Sequence, residues 1–174
     1  MKTHLLCVLA LGLAATATAA AAQDSDSITV QTQVQPYCAN LGADPAPLAL
    51  GELTGDNGFI AAAFAGDTSY SVSSYYCNAP ATVTLAAAPL MRTPTIPVPD
   101  SASFTDRVDY VANLVWDDVT GSVNSAANTP SDIDTAEANT GALIVSVSDP
   151  SVAGSRRPIA GDYAGAVTLT VTLD

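Results

Sequence analysis

The chain has 174 residues, 48% hydrophobic and 13% charged, with 17 acidic against 5 basic residues and a formal net charge of -12. Its basic side chains are Lys2, Arg92, Arg107, Arg156 and Arg157, and its one histidine is His4. So acidic a chain lacks the Lys/Arg clusters that phosphate contacts need, which excludes nucleic-acid binding. Loss of Lys2 and His4 with a leader would also remove every histidine and lysine, and with them most acid–base, nucleophilic and metal-ligand chemistry.

Such a leader is expected. Met1-Lys2-Thr3-His4 is short and positively charged, and Leu5 to Ala15 is an apolar run of signal-core length. Ala20-Ala21-Ala22 then fits the small-x-small pattern of signal peptidase, which places cleavage after Ala22 and makes 1–22 a signal peptide. The strongly apolar part is too short for a bilayer span of about 20 residues, so membrane insertion is not expected. Cys7 sits inside the apolar core and not at its end, which disfavours a lipoprotein. The remaining 152 residues suit one domain. They carry four arginines against all 17 acids, a charge of -13, and two cysteines, Cys38 and Cys77. An exported chain with an even cysteine pair reads as one disulfide.

In chain order the periodicity is that of strands. Ile28 to Gln35 alternates apolar or β-branched with polar residues until Pro36. Tyr70 to Cys77 is a second strand, and Asn78-Ala79-Pro80 with Ala81 to Leu85 suggests a hairpin return. Val108 to Trp116 and the β-branched run Ala142 to Val147 follow. Val167 to Leu173 is the most regular, with four apolar residues on one face and three threonines on the other. Phe59 to Ala65 and Asp132 to Ala138 read as loop or short turn, and Pro94 to Pro99 as a crossover between sheets. Eleven prolines, eleven glycines and short alternating strands favour an all-β sandwich.

No catalytic constellation stands out. Asp132-Ile133-Asp134 with Glu137 is a fragment of a calcium loop that lacks the further oxygen ligands and the turn glycine. Asp117-Asp118 beside Trp116 could suggest a glycosidase. Adjacent carboxylates on a strand end point apart, however, while that chemistry needs them facing across a substrate. Serines have no base after cleavage. Arg156-Arg157 could grip a carboxylate, yet a solvated pair in a Gly/Pro-bounded loop explains them as well. No Asn-x-Ser/Thr acceptor occurs. Neither a cofactor nor a metal is expected.

Four features in order carry a resemblance: a strand-like run into Cys38, the Leu48-Ala49-Leu50-Gly51 turn, Cys77 on a strand followed directly by a hairpin return from Ala81 to Leu85, and Gly161-Asp162-Tyr163 ahead of the Thr-alternating strand to Leu173. Together they resemble the spore coat protein U-like domain, which includes subunits of archaic chaperone–usher pili. The resemblance covers nearly the whole chain after the leader. It implies an immunoglobulin-like Greek-key β-sandwich over 38–174 that lacks its final strand. A periplasmic chaperone, and then the N-terminal segment of the next subunit at an outer-membrane usher, would fill the resulting groove. Residues 23–37 would be the donor extension, with Ile28, Val30, Thr32 and Val34 as its knobs, or else the domain's own first strand. Val167, Leu169, Val171 and Leu173 would line the groove edge. Two departures stand out: Thr32 is a weakly apolar knob, and Leu173-Asp174 lacks an aromatic ending.

The expected function is therefore that of an exported, non-enzymatic subunit of a surface pilus or coat, assembled by donor-strand exchange with like subunits or other pilus subunits and supporting adhesion or biofilm formation. It would pass through the periplasm to the cell surface. A self-contained secreted binding module is the alternative, and a carboxylate-only hydrolase a remote third.

Overall fold

The computed structural model describes residues 28–42 and 47–174. The expected leader over 1–22, residues 23–27 and residues 43–46 lie outside the described residues. The chain divides into two units, Met1–Gln33 and Val34–Asp174, and the second carries the sandwich. Ile28 and Val30 in the first unit and Val34 in the second are 88%, 89% and 78% exposed. Residues 28–35 belong to no strand, so the alternating pattern there is not realised as a ladder. Alternation supplies a strand's faces, while a strand also needs a partner edge.

Nine strands follow: β1 Ser69–Cys77, β2 Ala81–Thr93, β3 Phe104–Thr105, β4 Arg107–Trp116, β5 Val119–Asn124, β6 Ser131–Thr135, β7 Asn139–Ser151, β8 Arg157–Pro158 and β9 Asp162–Leu173. The only helical element among the described residues is a 3-10 turn, Ala153–Ser155. No helix among them is long and apolar enough to cross a membrane. The protein is an all-β antiparallel sandwich with one disulfide, Cys38–Cys77.

One layer is β1-β7-β4-β5, and the other is β6-β2-β9. They join at a corner where the end of β2 turns onto β4, pairing Leu90 with Val108 and Met91 with Arg107. Cys38 bridges Cys77 along the outer edge of β1, which completes the immunoglobulin-type order of first segment, β1, β7 and β4. β2 and β9 face them from the other layer.

The Asn78–Pro80 turn does not close a hairpin, contrary to the sequence pattern. β1 pairs with β7 and β2 with β9, so the turn carries the chain between layers. The reason is burial: Tyr75 and Cys77 on one side of the turn and Ala81 and Val83 on the other all point into the core. Facing inward from both sides of so short a turn requires opposite layers.

Two more segments differ from the sequence reading. The stretch Asp132 to Ala138, read as loop or short turn, instead supplies most of β6 (Ser131–Thr135), with Ile133 and Thr135 inward and Asp132 and Asp134 exposed. The Thr84 and Thr82 hydroxyls donate to those two carboxylates at 2.7 and 3.0 Å. β5 was invisible to the pattern because only Val119 and Val123 of its six residues are apolar. At the β5–β6 side the layers meet tightly, and a Cβ on Gly121 would collide with the Ile133 side chain.

The core centres on Trp116, Leu85, Leu114, Leu143, Val83 and Val108, all fully buried. The Tyr75 ring meets Trp116 edge-on, with centroids 5.2 Å apart. Tyr110 is also buried, and its hydroxyl lies 2.9 Å from the Ala88 carbonyl on β2 and 3.1 Å from that of Ala166 on β9. Burial pushes its phenol up to about 12 from 10.0.

Because the raised value favours the neutral form, Tyr110's contribution to stability is complete below pH 10.0 and declines toward about 12, where the unfolded chain has already ionised. Tyr110→Phe should lower neutral-pH stability by about 1 kcal/mol and flatten the loss on entering that alkaline window, measured by urea unfolding. Gly121→Val should cost about 1–3 kcal/mol through overpacking against Ile133.

Candidate functional site: an open groove beside the last strand

The site is built on β9. Its register against β2 pairs Leu173 with Ala81, Val171 with Val83, Leu169 with Leu85 and Val167 with Ala87. These pairs share the core-facing side, and Thr168, Thr170 and Thr172 face outward as the alternation predicts. The two strands are nonetheless unequally covered. Val83 and Leu85 on β2 are 0% exposed, whereas Val167, Leu169 and Val171 are only half-buried and Leu173 is 36% exposed. β9 pairs with β2 alone among the described residues, so its other edge carries backbone donors and acceptors without a ladder.

Beside that edge runs an apolar groove of about 1240 Å³. Its floor is Val72 of β1, Leu143, Val145 and Val147 of β7, and Tyr110. One wall is β9 from Tyr163 to Leu169, and the facing wall is the segment from Leu48 to Thr54. Toward the disulfide, a second depression of about 450 Å³ is lined by Tyr37, Leu41, Val171 and Leu173, among others. Of the four β9 residues named from sequence, Val167 and Leu169 line the groove, and Val171 and Leu173 line the second depression. Leu48 and Leu50, which the sequence reading gave only as part of a turn, form the wall opposite together with Leu53, which it did not name. The signal for the first two was the Leu-x-Leu alternation, which was too short to be read as a strand.

The Gly-Asp-Tyr turn fixes where β9 begins. Gly161 has φ +150 and lies against the Arg92 guanidinium, a position that leaves no room for a side chain. Asp162 pairs with Thr93. The Tyr163 hydroxyl is 2.9 Å from the Ile159 carbonyl and 3.2 Å from that of Thr105. This corner ties the strand start to the connection before it, as in immunoglobulin-type domains. Burial first, and Asp106 second, raise the Tyr163 phenol above its ordinary value.

The disulfide clamps the chain where it enters the sandwich. Beside it, Ala39 N–H donates to the Tyr76 carbonyl at 2.8 Å, Asn78 N–H to that of Tyr37 at 2.9 Å, and Tyr37 N–H to Asn78 Oδ1 at 2.6 Å. Residues 37–39 are therefore held along β1 by backbone bonds as well as by the covalent link.

The residues weighed for chemistry are scattered. Asp117 and Asp118 form the exposed turn between β4 and β5. Asp132 and Asp134 receive threonine hydroxyls on the outer face. Arg156 Nε donates to the Ala153 carbonyl at 2.9 Å, and the Arg157 guanidinium lies 3.9 Å above the Phe59 ring. No group of three or more His, Cys, Asp or Glu residues that could hold a metal occurs among the described residues. A scan of the chain against protein-family models finds no match, and a search of curated proteins finds no significant relative.

Replacing both Cys38 and Cys77 with serine should lower the unfolding free energy by about 3–4 kcal/mol, the loop-entropy value for a separation of 39 residues. Denaturant unfolding of the oxidised wild type against the double variant checks it.

Proposed function

We propose that this chain is an exported, non-enzymatic structural subunit of a surface pilus or coat, built by donor-strand exchange and serving adhesion or biofilm formation. The observation that carries the reading is the coincidence of an unpaired β9 edge with an apolar groove directly beside it. A strand laid into the groove would pair with the free backbone of β9 and cover Val167, Leu169, Val171 and Leu173 with its alternate side chains. Backbone bonds and apolar burial are thus satisfied by a single occupant.

The natural occupant is the segment Ile28, Val30, Thr32 and Val34 of another copy. Its apolar side chains recur every second residue, and the three aliphatic ones are exposed. Until that exchange, a periplasmic chaperone would fill the groove, and an outer-membrane usher would be the place of transfer. A leader over 1–22 fits this route to the cell surface. The charge of -13 after cleavage and the absence of lysine oppose unspecific association of subunits carrying an exposed apolar groove.

Donor-strand polymers should run as a ladder on SDS gels without boiling and collapse to one band after it. Deleting 23–35 should abolish the ladder and leave a subunit that a chaperone still binds, and Leu169→Asp should abolish both. A purified wild-type chain that is a cooperative monomer under all these conditions would instead indicate the self-contained binding module.

A further inference from the structure

The groove presents a physical difficulty. Its two walls are apolar, with Val167 and Leu169 on β9 facing Leu48, Leu50 and Leu53 on the opposite segment. Water between two such walls is expelled if they can approach, so the empty groove is driven to close. The base of the facing wall rests on the core through Leu48, Leu50, Leu53, Ile60 and Phe64. Its hydrogen bonds, however, are mostly its own: Ala61 N–H to the Leu53 carbonyl at 2.9 Å, Gly66 N–H to that of Leu50 at 2.9 Å, and Gly55 N–H to that of Phe59 at 3.0 Å. These bonds and the Thr54–Ile60 bridge make a small hairpin. None of the hairpin's backbone bonds among the described residues reaches β9.

At the tip, a cation–π contact ties the hairpin to the body. The Phe59 ring lies under the Arg157 guanidinium, 3.9 Å from centroid to Cζ, and a Cβ on Gly58 would be 3.7 Å from Arg157 Cδ. Arg157 is itself fixed. It opens β8, which pairs in parallel with β3, and its N–H donates to the Ser103 carbonyl at 2.9 Å. That ladder sits just ahead of β9, whose corner tyrosine bonds Thr105 of β3. The contact is therefore a strut between the tip of one wall and the foot of the other.

The geometry points to Arg157 and Phe59 as positioning residues that prop the groove open for an incoming strand. The inference rests on the strand-acceptor reading above. The strut contributes no surface for the strand's own side chains. It keeps Leu48, Leu50 and Leu53 away from Val167 and Leu169, so the strand need not first separate them. Loss of the strut lets the walls meet, which buries apolar surface in the empty protein and competes with binding.

The test uses a fluorescent peptide of residues 26–36 and the purified full chain, with affinity read by anisotropy and thermal stability measured without peptide. Arg157→Ala and Phe59→Ala should each weaken peptide binding by about two- to fivefold, the size of one exposed cation–π contact. The double variant should be no weaker than either single one, because one contact is removed in all three. Arg157→Lys, which keeps a cation over the ring, should stay near wild type. The Arg157→Ala melting temperature without peptide should be unchanged or higher, a result that a merely structural role would not give. Equal affinity for wild type and Arg157→Ala would overturn the strut, as would a fall in melting temperature that parallels the loss of affinity. If wild type binds no peptide at all, the acceptor reading fails and the strut with it.

Discussion

A β-sandwich is stable only where both of its sheets' apolar faces are covered and their edges paired or shielded. Around most of this molecule that condition is met. β5 and β6 close one side so tightly that a Cβ on Gly121 would displace the Ile133 side chain, and the β2–β4 corner and the disulfide close others. Along β9 it is not met. Residues whose cross-strand partners are fully buried are left half-covered, next to a backbone edge with no partner strand among the described residues. The groove, the tyrosine corner that positions β9 and the proposed assembly all follow from that uncovered edge.

The disulfide and the tyrosine corner act at opposite ends of this opening. Cys38–Cys77 holds residues 37–39 against the end of β1, beside the depression lined by Val171 and Leu173. Tyr163 holds the start of β9 through two carbonyls. Between them Tyr110 reaches up from β4 to touch β2 and β9 together. β9 is thereby fixed in place without its outer edge being occupied. A rigid edge offers a strand a preorganised template, whereas a loose one would charge the ordering entropy to each binding event.

Much of this was legible in the residues. The β9 alternation named its inward face correctly, and the cysteine count named the disulfide. Trp116 followed by a solvated acidic turn is what the structure contains, with Asp117 and Asp118 exposed beyond the buried ring. The losses have a common cause: periodicity reports which face of a segment is apolar, not which strand it pairs with. Asn78–Pro80 looked like a hairpin turn because both flanks alternate, and only the packing shows that they belong to different layers. β6 was hidden because its two aspartates resemble turn or metal-loop residues, while in fact they are hydroxyl acceptors on a strand's outer face. The wall at Leu48, Leu50 and Leu53 and the Phe59–Arg157 strut depend on residues about 100 positions apart meeting, which a local pattern does not encode.

The central claim is that the free edge of β9 accepts a strand. Residue-resolved amide hydrogen exchange on β9, with and without a peptide of residues 26–36, tests it directly. The account predicts that alternate amides from Ala164 to Leu173, those pointing away from β2, exchange readily in the free protein and become protected when the peptide is added. Alternate amides that are already protected in the free protein, or that keep exchanging with peptide present in excess, would contradict it.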